Sequence, residues 1–470
     1  MSQFERDFDL SRQARFHTVR DAQMPTGLPN HLSARRERGD PSSLNFAEVL
    51  ASKEERERLS RHIITTYAGI DDYLLQNSDG REFIGDMWLV PKPTGVEPVP
   101  PDAAVKKLRS LSRKIDNIGL ERLPQEWVWG QANLDALATY LEERSKTNGQ
   151  MMPYEEYLRK VSGFRPQLIP RDVQEADRAE VLFLLSRLGY KFDENHDATI
   201  RAALQLYLSA NRIPTRGLVE LNFKRFDLRY RNQVGEMLGR TDLSLISFDF
   251  RWREEDAFWR MWERVETDGY HLDANWHPRQ RKSFTYGATE GYAVHEPAHF
   301  EMAYSLSQEI KTGNLDPVAG IFTIPGPGCY VLEGIAQTMP ELAGLELTDD
   351  GKLFLALYRS WVRTRTNGLY KLEMGVPMEE VILESRHFAL DKTTSEMEAD
   401  YRDGLSKPFD RAYLPVYGLS DYDLLIAKKR LGGAMDILLR DSFRRPMLRE
   451  DIIRPTLDME PLMGYDLPAD

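Results

Sequence analysis

The chain has 470 residues, of which 41% are hydrophobic and 29% charged, so it can bury a sizeable core and is not expected to be globally disordered. Acidic residues outnumber basic ones, 74 to 62, and the formal net charge is -12. This balance argues against a nucleic-acid-binding protein, because neutralising phosphates requires a basic surface.

The cysteine content and the hydropathy pattern predict the cellular compartment. Cys329 is the one cysteine, so no disulfide framework can form within the chain, which fits a reducing environment. The N-terminal sequence MSQFERDFDLSRQ lacks the apolar core of a signal peptide, and no run of 18 apolar residues occurs. We therefore expect a cytoplasmic protein that does not span a membrane.

Residues 1–102 are predicted to form a helical and extended N-terminal region. Residues 20–45 are rich in turn formers and charge, which indicates an extended arm, and a helical pattern follows over residues 45–75. The segment VPKPTGVEPVPPD then contains five prolines and should be extended rather than helical. It marks either a domain boundary or a loop that crosses one domain.

Residues 103–470 are predicted to form a second, mainly helical domain. Residues 103–240 show helical periodicity, and Gly163 and Gly189 end two of these helices. Helical patterns return beyond residue 348.

A small sheet is predicted between these helical regions. Within residues 243–252, apolar residues alternate with polar ones, which is typical of a strand with one buried face. The aromatic-rich residues 254–269 are predicted as a helix, and residues 270–289 as a short strand or hairpin. The fold class is therefore mainly α (α+β), with the sheet next to the segment GYAVHEPAHFE at residues 291–301.

That segment carries the strongest functional pattern in the chain. His295 and His299 are four residues apart, so on a helix they lie on one face and can offer two imidazole nitrogens to one metal ion. Glu296 is rotated by one position and would lie beside the ion, where a general base for a water molecule must stand. The pattern predicts a metal-dependent catalytic helix.

Pro297 lies between the two histidines. In a helix interior, proline removes a hydrogen bond and costs about 3 kcal/mol, whereas in the first turn it is tolerated. We therefore predict that the helix begins near residues 293–295. A kinked helix is the alternative, and it would also keep the two histidines roughly aligned.

A third metal ligand is expected from the following apolar helix. The breaker sequence PGPG precedes YVLEGIAQTMPEL, which contains Glu333. The loop between the two helices gives the chain room to fold back. Glu333 would complete a site of two histidines, one carboxylate and a water; the alternative is an ordinary helix carboxylate.

These residues resemble a known group of enzymes. HEPAH followed by LEGIA is similar to the HExxH and EG(L/I/W)A pair of glutamate-liganded zinc metallopeptidases, of the helical carboxypeptidase Taq type and its bacterial carboxypeptidase-like relatives. The resemblance covers roughly residues 245–445, within the active-site half that we place at residues 243–445. It implies a helical zincin-like domain in which His295, His299 and Glu333 hold zinc and Glu296 activates water. It also implies an oxyanion-stabilising tyrosine or histidine and an arginine that grips a substrate carboxylate.

Candidates for those further roles lie on both sides of the motif. Tyr413 or Tyr417 could donate a hydrogen bond to the developing oxyanion, unless each is simply a packed aromatic residue. Arg363 and Arg365 could bind a carboxylate in a bidentate manner, with a surface role as the alternative. His277, in ANWHPR, would lie near the cleft or cap the end of the preceding strand.

Three hypotheses for the function follow. The leading one is zinc-dependent hydrolysis of a peptide or small amide, by a metallopeptidase-like enzyme that binds neither nucleic acid nor membrane. The second keeps the ligands but uses Fe²⁺, because two histidines and one carboxylate also form the facial triad of non-haem iron enzymes. The third is a catalytically inactive, metallopeptidase-like binding protein. The oligomeric state is not predicted.

Overall fold

The computed structural model describes residues 52–77, 85–146, 151–240, 242, 246–255, 260–266 and 269–457. The chain divides into two units, Met1–Leu50 and Ala51–Asp470. All of the first unit lies outside the described residues, and so does the arm predicted at residues 20–45.

Helices dominate the second unit, which confirms the mainly α (α+β) prediction. Their bounds are α1 Lys53–Asn77, α2 Pro101–Ile118, α3 Glu126–Arg144, α4 Tyr154–Val161, α5 Arg171–Arg187, α6 Asp197–Ala210, α7 Arg216–Leu238, α8 Tyr286–Thr312, α9 Gly328–Leu342, α10 Asp349–Glu373, α11 Met378–Phe388, α12 Thr394–Ser406, α13 Pro408–Leu431, α14 Met435–Ser442 and α15 Arg449–Leu457.

A mixed sheet lies against these helices, in the strand order β2-β4-β3-β1-β5. β4 pairs parallel with β2 and antiparallel with β3, whereas β1 pairs parallel with β3 and antiparallel with β5. The strand bounds are β1 Gly85–Trp88, β2 Phe248–Arg253, β3 Met261–Glu266, β4 Gly269–Asn275 and β5 Ile321–Thr323.

The strand predicted within residues 243–252 is present as β2. Two of its alternating aromatic residues, Phe248 and Phe250, pack edge-on against Phe223 of α7, with ring centres 5.8 and 5.7 Å apart. The short strand predicted after residue 269 is β4, and it forms an antiparallel pair with β3. The predicted sheet next to the histidine motif is thus confirmed.

The helix predicted at residues 254–269 is wrong. Its described part, Met261–Glu266, is strand β3. Met261, Glu263 and Val265 are buried, while Trp262 and Arg264 between them are half-buried. Burial therefore alternates from residue to residue, as expected of a strand. The alternation is hard to see in the sequence because one of the three buried residues, Glu263, is charged.

The proline-rich segment after β1 is extended, as predicted, and Pro100 precedes the first turn of α2. Residues on both sides of it share one hydrophobic core, in which Ile63 and Tyr67 of α1 join Leu108 and Ile115 of α2. The division of the chain at residue 102 stays a prediction.

The helix that carries the histidine motif begins earlier than predicted. α8 starts at Tyr286, and the Thr285 side chain caps it by accepting a hydrogen bond of 3.1 Å from the Ala288 N–H. Pro297 therefore lies well inside this 27-residue helix and not in its first turn. It cannot donate to the Ala293 carbonyl, yet the helix continues, because α8 is held by packing against α7, α9, α10 and β3.

Candidate metal centre

The two histidines of α8 present the same ring nitrogen to one point. The Nε2 atoms of His295 and His299 are 3.2 Å apart. The His299 side chain is 1% exposed and that of His295 is 19% exposed, so solvent reaches His295 and not His299. This distance suits two nitrogen ligands of a single ion as well as an imidazole–imidazole hydrogen bond.

Glu333 of α9 brings a carboxylate oxygen to the same point. Its Oε2 lies 3.5 Å from His295 Nε2 and 3.9 Å from His299 Nε2. Ligands bonded to zinc at about 2.0–2.1 Å in tetrahedral geometry are about 3.3 Å from one another. The triangle of 3.2, 3.5 and 3.9 Å is therefore close to the size that one such ion requires.

An unsatisfied polar atom supports the same interpretation. Within the described part of the chain, Glu333 Oε2 is buried and makes no hydrogen bond of normal geometry, with His295 Nε2 3.5 Å from it. A buried carboxylate oxygen without a donor is costly, and a cation next to it would remove that cost. The three residues thus fit a zinc ion, which would be held by His295 Nε2, His299 Nε2 and Glu333 Oε2.

Glu296 stands beside these ligands. Ligand atoms of His295, Glu296 and His299 all lie within 4.8 Å of one another, and Glu296 is 4% exposed. Burial raises the pKa of Glu296, more than the charge of His295 and a hydrogen bond with Glu263 lower it. A carboxylate with a raised pKa near an ion site is suited to accept and return a proton.

The two histidines differ in their affinity for protons. Burial lowers the pKa of His299 to about 3. Burial also acts to lower the pKa of His295, but the close contact with Glu333 and the charge of Glu296 outweigh it and raise that pKa. His299 is therefore a neutral imidazole at any pH near neutrality, which is the form that binds metal ions.

The sequence analysis missed Glu263 of β3. Its Oε1 lies 3.9 Å from His299 Nε2, and its carboxyl group is hydrogen-bonded to that of Glu296. The signal that could have revealed it is the alternation M-E-V on one side of β3, in which a carboxylate stands where an apolar residue is expected.

The two candidate tyrosines are next to the ligands and connected to each other. Tyr413 of α13 donates its hydroxyl hydrogen to Glu333 Oε1, and Tyr417 donates to the Tyr413 hydroxyl over 2.8 Å. Tyr413 thus orients the Glu333 carboxylate, a candidate metal ligand. Neither hydroxyl hydrogen is directed at an oxyanion in this arrangement, so the predicted oxyanion role would require the chain of hydrogen bonds to rearrange.

The two candidate arginines have different surroundings. Arg363 is 4% exposed and is bound by Asp177 at 2.8 and 2.9 Å and by Asp421 at 2.9 and 2.5 Å, so its guanidinium is used within the fold. Arg365 lies over the Tyr417 ring, 5.9 Å from its centre, with Asp400 at 3.8 Å. In the described part of the chain, its buried Nε has no hydrogen-bond partner.

His277 lies apart from the two histidines in its hydrogen bonds, whereas Tyr358 interacts electrostatically with Glu333. His277 belongs to the turn after β4, where its N–H donates to Asn275 Oδ1 over 3.1 Å and its Nδ1 accepts from the Arg279 N–H over 3.4 Å. Those contacts fit the alternative that it caps the strand end. Tyr358 of α10, which the sequence analysis did not single out, has its pKa raised by burial and by the charge of Glu333.

Close packing between helices positions Glu333. The adjacent residue, Gly334, faces α13, where a Cβ atom would overlap Leu424 Cδ1 and lie 2.9 Å from Ser420 Cβ. Only glycine allows α9 and α13 to approach this closely, and α13 is the helix that carries Tyr413. Glu333 supplies the candidate ligand, and the adjacent Gly334 allows the close contact with α13 that places Tyr413 beside it.

Comparison with known proteins finds no matching family model and no matching curated sequence. Solved structures that match include a proposed lipoprotein from Colwellia psychrerythraea, 14% identical with a TM-score of 0.47, over 76% of this chain and 66% of that chain. Another is a proposed lipoprotein of unknown function from Shewanella oneidensis, 13% identical with a TM-score of 0.43, over 86% and 73%. The chain thus spans slightly less than two thirds of the Colwellia protein. Both TM-scores are below 0.5, so neither structure supports an assignment of function.

None of the described helices is both long enough and apolar enough to cross a membrane.

Proposed function

We propose that this protein is a zinc-dependent hydrolase that cleaves a peptide or small amide bond. One observation carries the proposal: three ligand atoms, His295 Nε2, His299 Nε2 and Glu333 Oε2, lie 3.2 to 3.9 Å from one another with the Glu296 carboxyl group beside them. Three protein ligands leave one coordination position for water, which is the arrangement of catalytic zinc sites.

The chain's own residues supply the proton transfers. When bound, zinc lowers the pKa of its water from 15.7 towards about 7 and polarises a carbonyl oxygen. Glu296 takes the proton from the attacking water and gives it to the leaving amine nitrogen. Because burial raises the pKa of Glu296, its protonated form is accessible and can return the proton.

Two residues of α10 are suited to binding the substrate. Arg365 has a buried Nε without a partner in the described part of the chain, and we assign it to a substrate carboxylate. The Tyr358 ring packs against that of Tyr417 at 6.4 Å, and its phenol interacts electrostatically with both Glu333 and Glu296. We assign Tyr358, rather than Tyr413, to the oxyanion, because the Tyr413 hydrogen is used by Glu333.

The test combines metal content with turnover. We expect about one zinc per chain in protein purified without chelators, and none in Glu333→Ala, His295→Ala or His299→Ala. Glu296→Gln should retain zinc and hydrolyse a peptide library about 10²–10⁴-fold more slowly than the wild type. Hydrolysis at the wild-type rate by Glu296→Gln would refute the assignment.

Metal analysis also separates this proposal from its two rivals. Stoichiometric iron in unsupplemented protein would support the facial-triad enzyme, in which Glu296 has no required role. Substoichiometric metal and no turnover after zinc is added would support an inactive binding protein.

A further inference from the structure

We propose that Glu263 of β3 is a positioning residue for hydrolysis: it holds the Glu296 carboxylate in the orientation in which it can take a proton from water. This inference rests on the proposed function. It assigns a role to a carboxylate that comes from the sheet, outside the two helices that supply the ligands and the base.

The position of Glu263 in the sheet is the first observation. Glu263 points to the same side of β3 as Met261 and Val265, and its side chain is 9% exposed. A carboxylate among buried neighbours is destabilising unless polar groups compensate it. β3 packs against α8, so this side chain reaches the helix that carries the motif.

The contacts of Glu263 are the second observation. Its carboxyl group is hydrogen-bonded to that of Glu296, and its Oε1 lies 3.9 Å from His299 Nε2. It therefore contacts the base directly and stands next to one ligand. Glu296 is held from the sheet side by this bond and from the helix side by its own backbone.

The chemistry of that bond assigns the roles. Two ionised carboxylates can only accept hydrogen bonds, so a bond between them requires one proton. Glu296 is the group that takes the proton from water, and the bond to Glu263 fixes the direction of its carboxyl group from the sheet side. A glutamine at position 263 would present an N–H donor of nearly the same shape, whereas leucine would present none.

The experiment compares Glu263→Gln with Glu263→Leu in the full chain. Zinc affinity is measured by competition with a chromophoric chelator, and kcat and KM are measured on a peptide that the wild type cleaves. We expect both variants to bind zinc within about threefold of the wild type. Glu263→Gln should retain most of kcat, whereas Glu263→Leu should lose about 10–100-fold in kcat with KM unchanged, the range found when residues that orient active groups are removed. Asp249→Asn removes an exposed carboxylate from β2, a strand of the same sheet, and serves as the control.

Three outcomes would overturn the inference. Wild-type kcat in Glu263→Leu would show that Glu296 needs no support. An equal loss in Glu263→Gln and Glu263→Leu would show that the donated hydrogen is not what matters. Loss of zinc from both variants would make Glu263 a metal ligand instead.

A failure of the proposed function can be told apart from a failure of this inference. If the wild type cleaves no amide, crystal structures of the zinc-loaded wild type and Glu263→Leu still report the orientation of Glu296. We expect the Glu296 carboxylate to rotate away in Glu263→Leu and to stay in Glu263→Gln. An unchanged Glu296 side chain in both would overturn the positioning role.

Discussion

Tyr413 donates its hydroxyl hydrogen to Oε1 of Glu333, which leaves Oε2 of the same carboxylate facing the two imidazoles. One helix, α13, thereby orients a ligand that belongs to another, α9. Hydrogen bonds of this kind to a metal-binding carboxylate fix its direction and strengthen metal binding. The tyrosine is thus a candidate for tuning the affinity of the proposed metal site.

Tyr413→Phe should weaken zinc binding about tenfold, because the carboxylate loses the donor that holds it. The measurement is the zinc dissociation constant, obtained by chelator competition. Tyr417→Phe is the matched control, since its hydroxyl contacts Tyr413 and not the ligand, and we expect a smaller effect. If Tyr413 instead acted on the oxyanion, as the sequence suggested, Tyr413→Phe would lower kcat and leave zinc affinity unchanged.

Zinc binding should weaken as the pH falls, through His295 and not through His299. The pKa of His295 is raised and that of His299 is about 3, so on acidification His295 takes up a proton that the metal must displace well before His299 does. Below the pKa of His295, the logarithm of the dissociation constant should therefore rise by about one unit per pH unit, and not by two.

Repeating the measurement on Glu296→Gln removes the neighbouring carboxyl proton from the balance; because the charge of Glu296 helps raise the pKa of His295, the rise in the dissociation constant should begin at lower pH in this variant. A slope of two in this variant would contradict the assignment of separate proton affinities to the two histidines.

The two arginines of α10 should separate stability from substrate binding. Arg363→Met leaves Asp177 without its bidentate partner, while Asp421 keeps Arg359 at 2.9 Å, and removing one member of a buried ion pair costs about 3–5 kcal/mol. Arg365→Gln should leave the free energy of unfolding nearly unchanged and raise KM for substrates with a free carboxylate. Denaturant unfolding and steady-state kinetics test the two parts, and an unfolding free energy for Arg363→Met equal to that of the wild type would contradict the first.

Much of the site could be predicted because several of its residues are close together in the sequence. His295, Glu296 and His299 lie within one turn and a half of a helix, so their common face follows from helical geometry. The strand β2 and the helices beyond residue 348 follow from the period of the apolar residues in the same way. Glu333 follows from two facts: two histidines alone do not complete a zinc site, and Glu333 lies in the next predicted apolar helix.

The rest depends on contacts between distant parts of the chain. The predicted start of α8 is too late because it puts Pro297 in the first turn, whereas packing against α7, α9, α10 and β3 carries the helix through the proline. The pairing of Arg363 with Asp177 joins residues 186 positions apart, and no local pattern predicts it. Glu263 was missed for a related reason: its partners are on α8, so its burial cannot be inferred from β3 alone.

Gly334→Ala should disturb both the fold and the metal site. The added Cβ would overlap Leu424 Cδ1, and overpacking of this kind destabilises proteins by about 1–3 kcal/mol. Because α9 must shift away from α13, Glu333 should move relative to the imidazoles and to Tyr413, so zinc affinity should fall with stability.

Leu424→Ala alone creates a cavity and should lower stability by about 2–5 kcal/mol without changing zinc affinity. In the double variant the overlap with Leu424 is gone while the 2.9 Å approach to Ser420 Cβ remains, so zinc affinity should recover in part even though the protein stays less stable than the wild type. Chelator competition and thermal unfolding measure the two effects, and a double variant that binds zinc as weakly as Gly334→Ala would show that the contact with Leu424 is not what sets the position of Glu333.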